Sequence, residues 1–390
     1  MFKILSLNQI SLNGLNQLSR EYYEIASEFA NPDAILLRSH KLQLEDIAES
    51  VLGIARAGAG VNNIPVAACT ERGIPVFNTP GANANAVKEL VVAALCLGSR
   101  GILDGIGYVD TLKEIKDKAE LNCILEKEKK RFKGNELAGK TLGVIGLGAI
   151  GSMVADTALD LGMRVAGYDP ALSVDAAWRL SSEVEKVDNL LSLVARSDYL
   201  TLHLPVLDST RNLINRDLLA NVKSGACLLN FAREEIVDSE AVVEAIQQGR
   251  LRKYIADFPA PNLIGIPNVV LMPHIGASTD EAEDNCAVMA ARQLRDYLEN
   301  GNIKNSVNFP ALSLERAGGC RIAISNRNVP KMLGSIMSIL AEADINVLDM
   351  LNKSREAIAY NLIDVQSVPN AMVVNQIRQI EGVINVRIIS

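Results

Sequence analysis

The sequence is poor in aromatic residues and lacks the long apolar runs and leader patterns of several protein classes. Aromatics make up 4% of the 390 residues, so a core must consist mainly of aliphatic side chains, as in parallel sheets covered by helices. No stretch approaches the roughly 18 apolar residues that a membrane-spanning helix needs. The chain starts MFKILSLNQI, with no basic segment followed by an apolar core, so we expect no signal peptide.

The cysteines show no pairing or metal pattern. There are six, at positions 69, 96, 123, 227, 286 and 320. They form no CxxC motif and no Cys/His spacing of a zinc site, and most of them lie in apolar runs. This pattern predicts reduced thiols in a cytoplasmic protein and no metal site.

The net charge of −7 argues against binding to nucleic acid or to an anionic membrane surface. An anionic small molecule would therefore need a local cluster of basic residues. A chain of 390 residues is also too long for a single core, so we expect two or three domains.

Alternating apolar strands and helical segments predict an α/β fold with two Rossmann-like, doubly wound parallel sheets. The last 70 residues instead follow the order βαββαβ, which is typical of a ferredoxin-like unit. The segment 101–135 is highly charged and indicates a surface helix, with either a solvated face or a dimer contact. We place the domains at 1–98 with 285–310 (substrate binding), 99–284 (nucleotide binding), 311–319 (linker) and 320–390 (the C-terminal unit).

A dinucleotide-binding motif follows an apolar strand and opens a helix. It reads Gly146-Leu147-Gly148-Ala149-Ile150-Gly151, and Asp169 ends the next strand 21 residues after Gly148. This strand–turn–helix context with a following acid gives GxGxxG its specificity. The helix amides would bind the pyrophosphate, and Asp169 would accept hydrogen bonds from the adenosine ribose. Because a carboxylate repels a 2′-phosphate, the motif favours NAD over NADP.

Two polar residues follow apolar strands at positions suited to acid–base chemistry. His274 follows VVLMP and Arg233 follows ACLLNFA. Ligands bind at the carboxyl ends of strands in such sheets, and histidine can take and return a hydroxyl proton near neutral pH. Arginine can hold a carboxylate through two parallel hydrogen bonds. A structural histidine and a surface ion pair with Glu234 or Glu235 are the alternatives.

Four motifs in this order resemble the D-isomer-specific 2-hydroxyacid dehydrogenases: GKTLGVIGLGAIG, LHLP, LNFAREEIVD and PHIGAST. The resemblance covers about residues 30 to 310. It implies that Arg233 binds the substrate carboxylate and carbonyl oxygen and that His274 is the general acid/base. It also implies that the coenzyme is lined by further residues outside the glycine motif. These are His203, Leu204, Pro205, Thr210, Phe231, Ala232, Asp257, Gly276 and Ala277.

The chain departs from the family at the third catalytic residue, a glutamate that normally pairs with the histidine. Here the segment reads Asp257-Phe258-Pro259-Ala260-Pro261-Asn262, and it contains no glutamate. Either Asp257 or an acid from elsewhere holds His274, or the histidine works without a carboxylate and with a more acidic optimum. The Asp257 assignment is a hypothesis.

The first domain resembles the substrate domain of family members that act on a phosphorylated acid. The segments are ILLRSHK, ARAGAGVNNI and NTPGANANAVKEL. Basic residues at strand ends suit a phosphorylated 2-hydroxy acid in an otherwise acidic protein. The implied binding residues are Arg38, Ser39, Lys41, Arg56, Ala57, Gly58 and Asn83.

The C-terminal unit resembles an ACT domain, a small module that binds amino-acid effectors. Asn326, Asn328 and Asn346 are the implied effector residues, with Asn326 in place of the family's histidine and Lys331 in place of its glycine. An assembly role without any ligand is the alternative. The resemblance further implies a homodimer or a homotetramer.

Three hypotheses remain open from the sequence. The first is an NAD-dependent dehydrogenase of a phosphorylated 2-hydroxy acid. The second is a dehydrogenase of another 2-hydroxy acid, such as lactate or glycerate. The third is an NAD-sensing binding protein that has lost efficient catalysis, for which the missing glutamate is the only support.

Overall fold

A computed structural model describes residues 1–178 and 180–389 of the chain. It forms two compact units. The first unit combines residues 1–83 with the chain from Asp280 onward, and the second unit is Ala84–Thr279. The boundaries placed above for a substrate domain, a linker and a C-terminal domain stay a prediction.

The first unit begins with a parallel five-stranded sheet in the order β2-β1-β3-β4-β5. Its strands are β1 (Phe2–Leu7), β2 (Tyr23–Ala26), β3 (Ala34–Leu37), β4 (Gly53–Arg56) and β5 (Val76–Phe77), with helices α1 (Leu12–Leu15) and α2 (Val66–Glu71) between them. All four residues of β3 are buried, as expected for a central strand of a covered parallel sheet. The sequence analysis did not identify β2, because its segment YEIA has no apolar run.

The second unit contains a parallel seven-stranded sheet in the order β12-β11-β10-β9-β6-β7-β8. Three helices precede it: α3 (Ala84–Ser99), α4 (Ile102–Asp110) and α5 (Lys118–Glu128). The βα series then runs β6 (Thr141–Ile145), α6 (Ala149–Asp160), β7 (Arg164–Tyr168), α7 (Val174–Ala177), β8 (Glu185–Lys186), α8 (Leu190–Arg196), β9 (Tyr199–Leu202), α9 (Arg216–Leu219), β10 (Ala226–Asn230), α10 (Ser239–Gln247), β11 (Leu251–Ala256) and β12 (Val269–Leu271). Side-chain caps fix where several helices begin, as Asn189 does for α8 and Asp238 for α10.

The chain returns to the first unit through α11 (Asp280–Asn300), whose buried residues recur at helical spacing. The C-terminal module, which we define as residues 320–389, follows. It contains β13 (Cys320–Arg327), α12 (Met332–Glu342), β14 (Val347–Arg355), β15 (Ile358–Val365), α13 (Ala371–Arg378) and β16 (Val383–Ile389). Its sheet is antiparallel in the order β14-β15-β13-β16. The predicted fold class, two doubly wound parallel sheets and a βαββαβ unit, is therefore confirmed.

The C-terminal module shares a hydrophobic core with the rest of the first unit. Ala323, Tyr360 and Leu362 pack in one cluster with Leu294 and Leu298 of α11. The other face of the module's sheet is covered by a separate cluster that includes Ile336 of α12 and Ile377 of α13. Both faces of β13 and β15 are therefore buried within the chain itself, whereas β14 is largely exposed.

In the described part of the chain, no single helix is long and apolar enough to cross a membrane. Helices α3 and α4 taken together have the length and composition of such a span, but the pair is bent by 71°. No cluster of three or more metal-ligating side chains occurs in residues 1–178 and 180–389. All six cysteines are free, and four of them are buried. The cytoplasmic location stays a prediction.

Candidate active site

Six neighbouring strands of the second sheet carry the polar residues singled out from the sequence. In sheet order, His274 follows β12, Asp257 follows β11, Arg233 follows β10, His203 follows β9, the glycine loop follows β6 and Asp169 follows β7. All six positions lie at the carboxyl edge, because the strands are parallel. The strand order reverses between β9 and β6, which is where a doubly wound sheet binds its ligand.

The glycine loop is shaped for a bound pyrophosphate. Gly146 has a φ of +93°, and a Cβ there would lie 2.5 Å from the carbonyl oxygen of His203. A Cβ on Gly151 would lie 1.9 Å from the carbonyl oxygen of Gly146, so only glycine allows the helix to start this close to the strand. Gly148 instead faces open space, with nothing within 4 Å of a Cβ, and it caps α6 without a side-chain hydrogen bond. The first amides of α6 are therefore available to an anion, and these residues fit NAD.

Asp169 is fixed beside the glycine loop. Its Oδ2 accepts a hydrogen bond from the amide of Leu147 at 2.9 Å, and its Oδ1 accepts one from the amide of Ala171 at 2.9 Å. Each oxygen keeps a second lone pair, so the carboxylate can still accept ribose hydroxyls. Asp169 thus lies at the end of β7 and is held by the loop that would bind the pyrophosphate, and its role as ribose acceptor stays a prediction.

The residues after β9 support the glycine loop. The Nε2 of His203 lies 2.9 Å from the Oγ1 of Thr201, and burial lowers the pKa of His203 to about 3, so its ring is neutral at pH 7. The Oγ1 of Thr210 donates to the carbonyl of Pro205 at 2.7 Å and accepts from the amide of Leu207 at 2.8 Å. Leu204 approaches Gly146 from the same side. His203 and Leu204 thus pack against the glycine loop. Because its pKa is so low, His203 is unsuited to proton transfer near neutral pH.

Arg233 is held by a residue that the sequence analysis did not single out. Asn230, the fully buried last residue of β10, donates from Nδ2 to the carbonyl oxygen of Arg233 at 2.8 Å and accepts from the amide of Ala232 at 3.1 Å. Phe231 and Ala232 are buried between them. The sequence did offer a signal for Asn230, because it is a polar residue at the end of the apolar run ACLLN. A side-chain amide that is buried in a sheet requires hydrogen-bond partners.

Asp257 holds the backbone beside His274 and does not bond its ring. The buried carboxylate accepts hydrogen bonds from the amide of Ile275 at 2.8 Å and from the amide of Gly276 at 2.6 Å. His274 has a φ of +57°, in the left-handed region, and its side chain is exposed. We therefore revise the role expected for Asp257 from partner of the imidazole to anchor of the segment that presents it. Ala277 comes next in this segment and is half-buried.

Phe258 lies against both polar side chains and was missed from the sequence. Its ring centroid is 4.6 Å from that of His274, with the two planes 48° apart. The guanidinium carbon of Arg233 lies 5.6 Å from the same centroid. An apolar residue directly after a strand gives no functional signal by itself.

The first unit brings together part of the predicted substrate set. The Nε of Arg56 donates to the carbonyl oxygen of Arg38 at 3.0 Å, so two of the basic residues are neighbours. Arg38 also forms an ion pair with Glu283 at 2.6 Å, and its charge is therefore partly compensated. Gly58 has a φ of +154°, and a Cβ there would lie 2.6 Å from the Nη1 of Arg56. The guanidinium could move aside, so it is the backbone conformation of Gly58 that disfavours other residues here.

The remaining predicted substrate residues differ in their exposure. The amide of Ser39 donates to the Oδ1 of Asn8 at 3.1 Å. Lys41 is exposed, Asn83 is half-buried in the turn before α3, and Ala57 is buried.

The three predicted effector residues of the C-terminal module differ in exposure. Asn326 is buried, and its Oδ1 accepts a hydrogen bond from the Nδ2 of Asn361 at 2.7 Å. Asn328 and Asn346 are exposed. Lys331 has a φ of +74°, which the family's glycine would adopt without strain. Asn328 and Asn346 stay candidates, whereas the contacts of Asn326 are those of a structural residue.

Comparison with known proteins agrees with this geometry. The family model described as "D-isomer specific 2-hydroxyacid dehydrogenase, NAD binding domain" matches residues 108–276. A solved structure of NAD+-bound 3-phosphoglycerate dehydrogenase from Entamoeba histolytica has 28% identity and a TM-score of 0.61, covering 80% of this chain and 99% of its own. A Haemophilus influenzae protein is 32% identical over 359 residues, which is 89% of this chain and 83% of that protein. The chain therefore belongs to the D-isomer-specific 2-hydroxyacid dehydrogenases, and it carries their NAD-binding domain.

The Haemophilus influenzae relative is named D-3-phosphoglycerate dehydrogenase. A Methanocaldococcus jannaschii relative of the same name is 34% identical over 337 residues, which is 84% of this chain and 61% of that protein. A third, from Synechocystis, is 36% identical over 327 residues, or 79% of this chain and 56% of its own length. The chain thus spans less than two thirds of the length of two of these relatives.

Proposed function

We propose that this protein oxidises 3-phospho-D-glycerate to 3-phosphohydroxypyruvate with NAD, the reaction that begins serine synthesis. The observation that carries the proposal is the set of strand ends in the second sheet, where Arg233 and His274 follow strands on either side of β11. The names of the relatives and the basic pair Arg38 and Arg56 support a phosphorylated acid as substrate.

Each residue of the proposed site has a separate role in the reaction. NAD, bound by the glycine loop and Asp169, would supply the acceptor for the hydride of carbon 2 of the substrate. His274 takes the proton of the carbon 2 hydroxyl, and it returns the proton in the reverse direction. Arg233 holds the carboxylate and the reacting oxygen. The charges of Arg38 and Arg56 in the first unit favour a phosphorylated over an unphosphorylated acid. Asp169 favours NAD by repelling a 2′-phosphate.

The first test measures NADH consumption with 3-phosphohydroxypyruvate, hydroxypyruvate and pyruvate in parallel. We expect kcat/KM to be at least about 100-fold higher for the phosphorylated acid. An acid without the phosphate leaves the basic strand-end residues without their anion, and this costs binding free energy. We also expect NADPH to be a poor substitute for NADH. A preference for an unphosphorylated acid would leave a dehydrogenase of another 2-hydroxy acid, and no turnover would favour the NAD-sensing alternative.

We also propose that the chain forms a homodimer or a homotetramer. Helix α4 has no buried residue, and Ile102, Leu103, Ile106 and Val109 are between 38% and 57% exposed. Such an apolar helix face is typical of a protein interface. We expect the double variant Ile106→Glu, Val109→Lys to sediment as a smaller species than wild type, and the exposed control Glu120→Gln to sediment unchanged. A monomeric wild type would contradict the proposal.

A further inference from the structure

The acid–base site has an aromatic ring where a charged partner would be expected. In residues 1–178 and 180–389, no carboxylate forms a hydrogen bond or an ion pair with the imidazole of His274. Both oxygens of Asp257 are bound to the amides of Ile275 and Gly276. The nearest ring to the imidazole is that of Phe258, 4.6 Å between centroids.

Phe258 is itself held on both sides. Asp257 precedes it and is tied to the segment after His274, so the two segments keep a constant spacing. Pro259 follows it and restricts its backbone to extended conformations. The ring is half-buried, whereas the imidazole is exposed, so the ring is the better anchored of the two.

The same ring also contacts the second polar side chain of the site. The guanidinium carbon of Arg233 lies 5.6 Å from the Phe258 centroid, within the range of a cation–π contact. The guanidinium further donates from Nη1 to the carbonyl of Ala232 at 2.6 Å. One ring therefore limits the orientations of both the base and the carboxylate-binding cation.

We propose that Phe258 is a positioning residue that orients the imidazole of His274 and the guanidinium of Arg233, in place of a carboxylate. This inference rests on the proposed function of those two residues. A ring has no formal charge, so it fixes direction by packing and by its quadrupole, and it leaves the guanidinium of Arg233 free to meet an anionic substrate.

The test compares Phe258→Leu with the conservative variants Phe258→Tyr and Phe258→Trp. We expect Phe258→Leu to lower kcat on the order of 10-fold, because the contacts of an aromatic pair and a cation–π pair are lost together. The KM for NADH should change little, since the glycine loop and Asp169 are untouched. Phe258→Tyr or Phe258→Trp should restore most of the rate.

A spectroscopic measurement tests the contact without any substrate. The chain has three histidines, so the NMR signals of the His274 ring can be assigned with one further variant, His274→Asn. We expect these signals to show a ring-current shift in the wild type that disappears in Phe258→Leu. If Phe258→Leu does not fold, Phe258→Met keeps the volume without the ring and takes its place.

The matched control is Phe2→Leu, which removes the same atoms from another half-buried phenylalanine that packs against an aromatic ring. Phe2 stacks on Tyr23 at 5.7 Å, at the amino end of β1. Its variant should keep the wild-type kcat and the His274 signals. Unchanged kcat and unmoved His274 signals in Phe258→Leu would overturn the proposal, and so would a loss of rate that neither aromatic variant restores.

Failure of the proposed function is a separate outcome. The substrate preference of the wild type decides that question, and the variants are compared on whichever acid the wild type prefers. If the wild type turns over none of them, the ring-current shift alone decides whether Phe258 orients His274.

Discussion

Replacing His274 with asparagine is expected to lower kcat by about 10²- to 10⁴-fold in both directions of the reaction, which is the usual contribution of a positioned acid–base group. The side chain is exposed at the carboxyl edge of the sheet, with its backbone anchored by Asp257 through the next two amides. The other histidine of the second unit is His203, which burial keeps neutral with a pKa of about 3.

Asparagine is the informative replacement because of the backbone at this position. His274 has a φ of +57°, and asparagine tolerates the left-handed region better than most residues do. The segment that follows should therefore keep its hydrogen bonds to Asp257. A loss of activity then reports the missing imidazole rather than a displaced loop.

Coenzyme binding gives the control for this variant. Trp178 is the only tryptophan, is 84% exposed and follows β7, the strand that leads to Asp169. Energy transfer from Trp178 to bound NADH should be the same in wild type and His274→Asn. If the variant binds NADH normally and retains kcat within about 10-fold of the wild type, another group transfers the proton and the assignment of His274 is wrong.

Replacing Asp364 with alanine is expected to cost about 3–5 kcal/mol of stability, because it leaves Arg321 buried without its counter-charge. Both side chains are fully buried in the C-terminal module, and they form two hydrogen bonds of 2.6 and 2.8 Å. Arg321 also donates to the backbone carbonyls of Asn300, Leu314 and Glu315. The pair thus joins β13 and β15 to the end of α11 and to the segment that follows it.

The pH dependence of this pair has a defined sign. Burial by itself would raise the pKa of Asp364, but the hydrogen bonds from Arg321 and from the amide of Ala317 outweigh it, so the pKa is lowered. A carboxyl whose pKa is lower in the folded state stabilises the fold above its unfolded pKa of about 3.9, and this contribution is lost as the pH falls through the folded value. We therefore expect the wild type, and not Asp364→Ala, to lose this stability in acid.

Urea unfolding followed by circular dichroism measures the effect, and two variants serve as controls. Glu244→Ala removes the exposed pair with Arg216 and should leave the midpoint almost unchanged. The double variant Arg321→Met, Asp364→Leu should recover part of the loss, because no buried charge remains, but not all, because three carbonyls lose their donor. An Asp364→Ala midpoint equal to that of the wild type would show that water reaches Arg321.

Local residue patterns were sufficient for much of this protein. The apolar runs before the glycine motif, Asp169, Arg233 and His274 predicted β6, β7, β10 and β12. The glycine motif placed Gly146 and Gly151 at positions where a Cβ would collide with a backbone carbonyl oxygen. These features follow from short-range chemistry, since strand burial, helix periodicity and turn geometry all repeat within a few residues.

Short or polar elements escaped the same reasoning. Strand β8 consists of the exposed residues Glu185 and Lys186, and β2 is the segment YEIA, so neither has an apolar run to mark it. The charged segment 101–135 is two helices, α4 and α5, rather than one. Pairing to a neighbouring strand decides whether such residues form a strand, and pairing is a property of the sheet.

The sequence by itself determined the family of this protein, its coenzyme motif and the strand ends at which His274 and Arg233 lie. Only the tertiary structure decided what surrounds them. It turned Asp257 towards the backbone, placed Phe258 against both polar side chains and buried Asn326 in the C-terminal module. The physical reason is that each of these contacts joins residues from different strands, and the direction of a side chain across a sheet depends on packing that no single segment specifies.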